Sequence, residues 1–178
     1  MQVGLGQRIE GGFYHVITRS KQKEKSFLDE KGMGSRAPVI KNAFAVERVS
    51  YGDTWRLYLE AEDPDADMEK IAVVVHQIGY GSYPTDWIIL KPRYRSYLIG
   101  YLQWNTFSSK ASFLPEWTHV TVRVSIFDKA KNESNEVIFP LSFESRVYKQ
   151  DEDQLPYPFN SLLPCIGHIT MDLLYEVR

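Results

Sequence analysis

The chain has 178 residues, enough for one domain with a full core plus arms and too few for two domains of ordinary size. Its 43% hydrophobic and 25% charged residues are ordinary for a globular protein, and 13% aromatic residues favour strands, so the expected class is all-β. A formal charge of -2 gives no global field for nucleic acid or an anionic membrane, and no run is long enough for a membrane span.

The N-terminus carries neither a basic nor an apolar signal region, which leads to the expectation of a cytoplasmic chain, a processed exported chain being the alternative. Residues 1–37 read as an arm and linker. Phe13, Tyr14, Val16 and Ile17 belong to a short strand-like run. Lys21, Lys23, Lys25 and Lys31 then alternate with Glu24, Asp29 and Glu30 ahead of a Gly-rich stretch that ends at Pro38. The lysines suit phosphate, but the composition is that of a solvated linker.

Residues 38–145 are the expected sandwich. Trp55, Leu57, Leu59 and Ala61 alternate with Arg56, Tyr58, Glu60 and Glu62, the period of a strand with one buried face. Pro64, inside the cluster Asp63, Asp65 and Asp67, ends that run, and residues 69–76 return as the second half of a hairpin. Further strands are expected at 39–46, 86–90, 97–105, 117–127 and 135–143, seven in all, with turns between them and no helix of useful length. Residues 146–178 read as an extended C-terminal arm. Pro156, Pro158 and Pro164 impose an extended path, while Leu155, Tyr157, Phe159, Leu162 and Leu163 are too apolar to stay in water. That arm is expected to pack on its own sandwich or on another chain, and the last run suits a strand or a short helix, its alternation through Ile169, Met171 and Leu173 favouring the strand.

Strand, then Asp63-Pro64-Asp65-Ala66-Asp67, then strand, followed later by the run from Val122 through Asp128 and Asn132 to Phe139, resembles the immunoglobulin-like sandwiches of bacterial proteins. These include fibronectin type III-like, cadherin-like and PKD-like domains. The resemblance covers residues 38–143 and implies an immunoglobulin-like antiparallel β-sandwich, a scaffold used for adhesion, spacing, assembly and carbohydrate binding. Ala66 and Lys131 stand where such turns often carry glycine. The single cysteine, Cys165, excludes the disulfide of antibody domains and fits a reducing compartment.

If seven strands alternate in direction, turns 63–68, 92–96 and 128–134 share one end of the sandwich. There Asp63, Asp65, Asp67, Asp128 and Asn132 supply hard oxygen ligands of the kind calcium takes, although the EF-hand pattern fails at Met68 and Val74. Asp and Asn are also ordinary turn formers, and Lys91, Arg93 and Arg95 at the same end offer neutralisation without an ion. Interleaved with Tyr94 and Tyr97, those cations also suit base or sugar stacking, against which the net charge speaks. The opposite end collects Tyr51, Tyr80, Ser82, Tyr83, Phe107, Ser108, Ser109, Phe113 and Trp117, uncharged rings and hydroxyls that either bind a partner or cap the core.

His15, His76, His119 and His168 are scattered, and Cys165 with His168 is too small a set for zinc, so no enzyme and no resident cofactor are expected, calcium apart. The function expected is that of a non-catalytic subunit docking on partner proteins within an assembly. Its partner-binding residues would be Tyr80, Tyr83, Phe107, Phe113, Leu155, Tyr157, Phe159 and Leu162. A calcium- or carbohydrate-binding sandwich module is the alternative.

Overall fold

A computed structural model describes residues 17–19, 35–109, 114–115, 117–145 and 155–174, the first three by backbone alone. Its strands are β1 (Ile17–Arg19), β2 (Val39–Ala45), β3 (Arg48–Val49), β4 (Thr54–Glu62), β5 (Met68–Gln77) and β6 (Gly81–Ser82). They continue with β7 (Asp86–Ile89), β8 (Tyr97–Asn105), β9 (Thr118–Asp128), β10 (Glu136–Phe143) and β11 (Cys165–Ile169). A 3-10 turn at Pro92–Tyr94 is the sole helical element among the described residues.

Two sheets face each other. One runs β1-β10-β9-β5-β6, with β3 beside β10 and β7 beside β5; the other runs β11-β8-β4-β2. The seven expected strands are present as β2, β4, β5, β7, β8, β9 and β10, and the molecule is an all-β immunoglobulin-like sandwich. The remaining four are short additions at sheet edges. Among them β3 arises because the chain leaves β4's sheet after Ala45 and lies parallel to β10 in the other.

Alternation puts Trp55, Leu57, Leu59 and Ala61 of β4 inward, against Ile71, Val73 and Val75 of β5 and Val120, Val122, Val124 and Ile126 of β9. Trp55 meets Trp104 and Phe139 edge-on, each at 6.2 Å between ring centres. Both indoles are fully buried, so their N–H groups need acceptors. Trp55 Nε1 donates to Val46 O (2.8 Å) and Trp104 Nε1 to Met171 O (2.9 Å).

Residues 155–174, expected as an arm, lie on the sandwich itself. Phe159 is buried with Phe44 and Tyr58 on the outer face of the smaller sheet, and Leu155 and Leu163 pack beside it with Ile99 and Tyr101. The chain then passes the sheet's open edge, where β11 runs parallel to β8, and sends Ile166, Ile169 and Leu173 into the main core. Tyr58 is therefore buried although alternation points it outward. The run is apolar because it has a face to cover. Tyr157 and Leu162, by contrast, remain in solvent at 86% and 102% exposure.

Candidate functional site

The two ends of the sandwich carry different chemistry. At the acidic end three turns are joined through the backbone: Asp63 N–H donates to Ser96 O (2.9 Å), Met68 N–H to Arg95 O (3.1 Å) and Lys129 N–H to Asp67 O (3.1 Å). The carboxylates are largely spent on the turns. Asp63, 4% exposed, accepts from the N–H groups of Asp65 and Asp67, both at 3.0 Å. Buried Asp128 accepts from Asn132 N–H and Asn132 Nδ2, both at 2.7 Å. These bonds hold the chain where Ala66 (φ 57) and Lys131 (φ 69) adopt the left-handed conformation that glycine usually supplies.

Asp65 is paired from outside the loop cluster. Arg36 donates to it from its backbone N–H (2.6 Å) and from Nη2 (3.2 Å), and these bonds hold the Asp65 carboxyl below its usual range, the backbone one most. Arg93 instead stacks on Tyr94 at 4.7 Å and donates to its hydroxyl, while Arg95 contributes its carbonyl. Among the described residues no group of three or more His, Cys, Asp or Glu has the arrangement of a metal site.

Asp67 is the exception in this lock, because its Oδ1 is buried and has no hydrogen-bond partner. Burial first, then the neighbouring Asp63 and Asp128, push its pKa up to about 6 from 3.8. The folded chain thus holds the proton more tightly than the unfolded chain, so this stabilisation is complete below about pH 4 and lost as pH rises through about 6. Asp67→Asn should raise the melting temperature at pH 7 and flatten its fall between about pH 4 and 6. Partial exposure discounts the effect to about 1 kcal/mol. An unchanged profile in the variant would remove Asp67 as its source.

The far end is organised by the C-terminal residues. Residues 171–174 cross between the two sheets: Ser108 Oγ donates to Leu173 O (2.6 Å), Gln77 Nε2 to Leu174 O (3.0 Å), and Leu174 N–H to Tyr83 Oη (2.8 Å). Ser109 Oγ donates to Asp172 Oδ2 at 3.0 Å. Tyr83, which sequence placed among partner-binding rings, is buried here and also donates to Gln77 Oε1; burial pushes its pKa up. It is a core cap with a polar tip.

Four apolar side chains at this end stay in solvent: Ile78 (68% exposed), Tyr80 (44%), Phe107 (59%) and Trp117 (60%). Two rest on a neighbouring ring, and the other two sit at positions whose backbone N–H is bonded. Ile78 N–H is tied to His119 O (3.1 Å), and Tyr80 stacks on Tyr83 with ring centres 4.9 Å apart. Phe107 packs against Tyr51 at 6.0 Å, and the Tyr51 hydroxyl exchanges hydrogen bonds with the Ser108 backbone. Trp117 is held at φ 64, with its N–H bonded to Phe143 O at 2.9 Å. Sequence grouped Trp117 with the rings at this end but left it out of the partner-binding set, and did not single out Ile78. For Ile78 the signal was strand parity, since inward Gln77 makes the next residue point out. Phe113 lies outside the described residues.

His76 Nδ1 lies 3.1 Å from Ser82 Oγ on the exposed side of the β5–β6 hairpin, and no carboxylate is bonded to that ring among the described residues. The pair therefore lacks the third group that orients a general base. Nor, among the described residues, is any helix long and apolar enough to cross a membrane.

No protein-family model matches the chain, and no curated protein matches it. Among solved structures it is similar to the PKD domain of an M14-like peptidase from Thermoplasmatales archaeon SCGC AB-540-F20, at 16% identity and a TM-score of 0.41. That similarity covers 62% of this chain and 99% of the other. It is also similar to the CARDB domain of the PF1109 protein from Pyrococcus furiosus, solved in complex with di-metal ions, at 9% identity and a TM-score of 0.34. There the coverage is 61% of this chain and 94% of the other. The likeness is a broad one, to immunoglobulin-like and PKD-like sandwiches.

Proposed function

We propose that the chain is a non-catalytic sandwich module that docks on a partner protein through the end bearing Ile78, Tyr80, Phe107 and Trp117. The observation that carries this reading is the gathering of those four exposed apolar side chains at one end, two of them, Tyr80 and Phe107, packed on a neighbouring ring. Large rings held in place before contact lose little entropy on binding, which is how interface anchors work. A terminal arm is a weaker candidate for the contact than it was from sequence, because Phe159, Leu155 and Leu163 are spent on the chain's own sheet. Sugar binding is less favoured for a similar reason. The hydroxyls of Ser108, Ser109 and Tyr83, which a sugar ring would have used beside the stacking rings, are already engaged within the chain.

Cross-linking of the native chain in its source cell, followed by titration of the protein it captures, tests the proposal. Cross-links should map to positions 78–80, 107 and 117, and Phe107→Ala or Trp117→Ala should weaken binding by about tenfold or more while the melting temperature holds. Full affinity in both variants and in Tyr80→Ala would sink this surface. Binding of a glycan abolished by the same variants would replace the protein partner with a sugar. A calcium-dependent rise in melting temperature, lost in Asp65→Ala, would instead move the function to the acidic end.

A further inference from the structure

The last described segment sits in a slot built by the rest of the chain. Gly100 leaves the space for it: a Cβ there would lie 2.5 Å from Pro164 O and 2.8 Å from Ile166 Cγ1. Most of the polar contacts address the segment's main chain. Tyr101 N–H donates to Pro164 O (3.1 Å), Thr170 N–H donates to Asp86 Oδ2 (2.7 Å), and Trp104 Nε1 donates to Met171 O (2.9 Å). Ser108, Gln77 and Tyr83 complete the set at Leu173 and Leu174. The grip comes from both sheets, and none of it depends on how the segment is joined to β10.

That join is made by residues 146–154, whose latter part, Lys149-Gln-Asp-Glu-Asp-Gln154, is entirely polar. Nine residues reach about 30 Å when extended. A segment arriving from a neighbouring molecule would make every contact just described, so the two arrangements differ mainly in closing the tether on one chain or across two. We infer that the slot accepts residues 155–174 of a second copy of this chain, giving a strand-exchanged dimer. A tether of nine residues supplies its own segment at an effective concentration on the order of mM, so the single chain predominates below that and exchange sets in as protein concentration approaches it. The segment supports Tyr80 and Phe107 of the proposed docking surface through Tyr83 and Ser108 whichever copy supplies it, so either proposal can fail without the other.

Cys165 pairs in register with Tyr101, which supplies a test on full-length protein. A chain carrying Tyr101→Cys and Cys165→Ser is mixed with the native chain, concentrated together to about 1 mM through one unfolding and refolding cycle, and oxidised after dilution. A disulfide between the two kinds of chain should form, at least tenfold above a mixture combined only after dilution. Since Tyr101→Cys removes a ring packed on Tyr58, the native chain is also tested, as isotope-labelled and unlabelled copies taken through the same cycle. Mixed dimers cross-linked from residues 165–174 of one isotope to 97–108 of the other support exchange. Monomers only, or dimers cross-linked solely through another face, overturn it.

Discussion

A chain ending at Asp153 should fail to fold, appearing as insoluble protein or as a soluble species without a cooperative melt. Its loss removes four buried side chains, Phe159, Ile166, Ile169 and Leu173, each within 8% of full burial. At about 1.5 to 3 kcal/mol for each, the deficit is roughly 6 to 12 kcal/mol, against a total stability of about 5 to 15 kcal/mol for a typical domain. The deletion also uncovers Phe44 and Tyr58 and leaves the indole N–H of Trp104 without its acceptor. Single substitutions should grade the effect. Phe159→Ala, in the middle of the covered face, should cost about 3 to 5 kcal/mol, whereas Leu162→Ala and Tyr157→Ala, fully in solvent, should change stability by less than about 0.5 kcal/mol. Chemical denaturation of the three variants measures this directly. A truncated chain that melts cooperatively near the native temperature would show that the segment decorates the sandwich and does not complete it.

The same segment marks the boundary of what could be read from sequence. Period-two alternation in β4 gave its inward face, because in an antiparallel sandwich one face of a strand meets water and the contrast is visible residue by residue; β9 and β10, placed by sequence only as ranges, bury alternate residues in the same way. Parity likewise brought the turns at Asp63, Arg95 and Asp128 to one end, where the backbone now joins them. Tyr58 and Phe44 broke the pattern invisibly. Their faces are polar in part, and the aromatic lid over them, Phe159, arrives from about a hundred positions away through a polar tether. No local period reports such a contact. β11 was equally hard to place, since a five-residue run carries no indication of whether it joins a sheet parallel, antiparallel or at all.

At the acidic end the residues were found and their roles were underdetermined. Asp63, Asp65, Asp67, Asp128 and Asn132 are the same side chains whether they coordinate an ion or bond amides, and composition cannot separate the two. Hydrogen-bond geometry shows the amide bonds: Asp63 spans two N–H groups and Asp128 pairs with Asn132, while Arg36 reaches Asp65 from the chain's approach to β2. Ala66 and Lys131 at positive φ explain why so many bonds converge there, since each left-handed residue needs its neighbours to hold it. At the far end the aromatic residues were legible as a group, but which of them faced solvent was not. Tyr80 and Tyr83 differ by three positions, and only the arrival of Leu174 on the Tyr83 hydroxyl decides that one is buried and the other offered to solvent.

Gly100→Ala should destabilise the chain by about 2 to 4 kcal/mol, more than a glycine-to-alanine change in a strand ordinarily does. Its backbone is not in the left-handed region, so alanine meets no conformational penalty there and would on chain entropy alone be mildly favourable. The whole loss is therefore steric. The added Cβ would fall 2.5 Å from Pro164 O, a backbone atom that cannot turn aside, so β11 must shift away from β8 and weaken the bonds beyond it. Gly167 offers the contrasting case. Its added Cβ would meet Ile88 Cγ2 at 2.5 Å, with the next neighbour at 3.7 Å, so the obstacle is one side chain. Gly167→Ala should then be rescued by Ile88→Ala, the double variant being more stable than the sum of the two single losses predicts by about 1 kcal/mol or more. Ile88→Ala should give Gly100→Ala no such relief, because the three atoms nearest a Cβ at position 100, all within 2.9 Å, belong to Pro164 and Ile166 and not to Ile88. Urea melts of the five variants decide it. Equal coupling of both glycines to Ile88, or a Gly100→Ala chain as stable as the native one, would mean that the slot is looser than its geometry and that β11 can settle on β8 in more than one way.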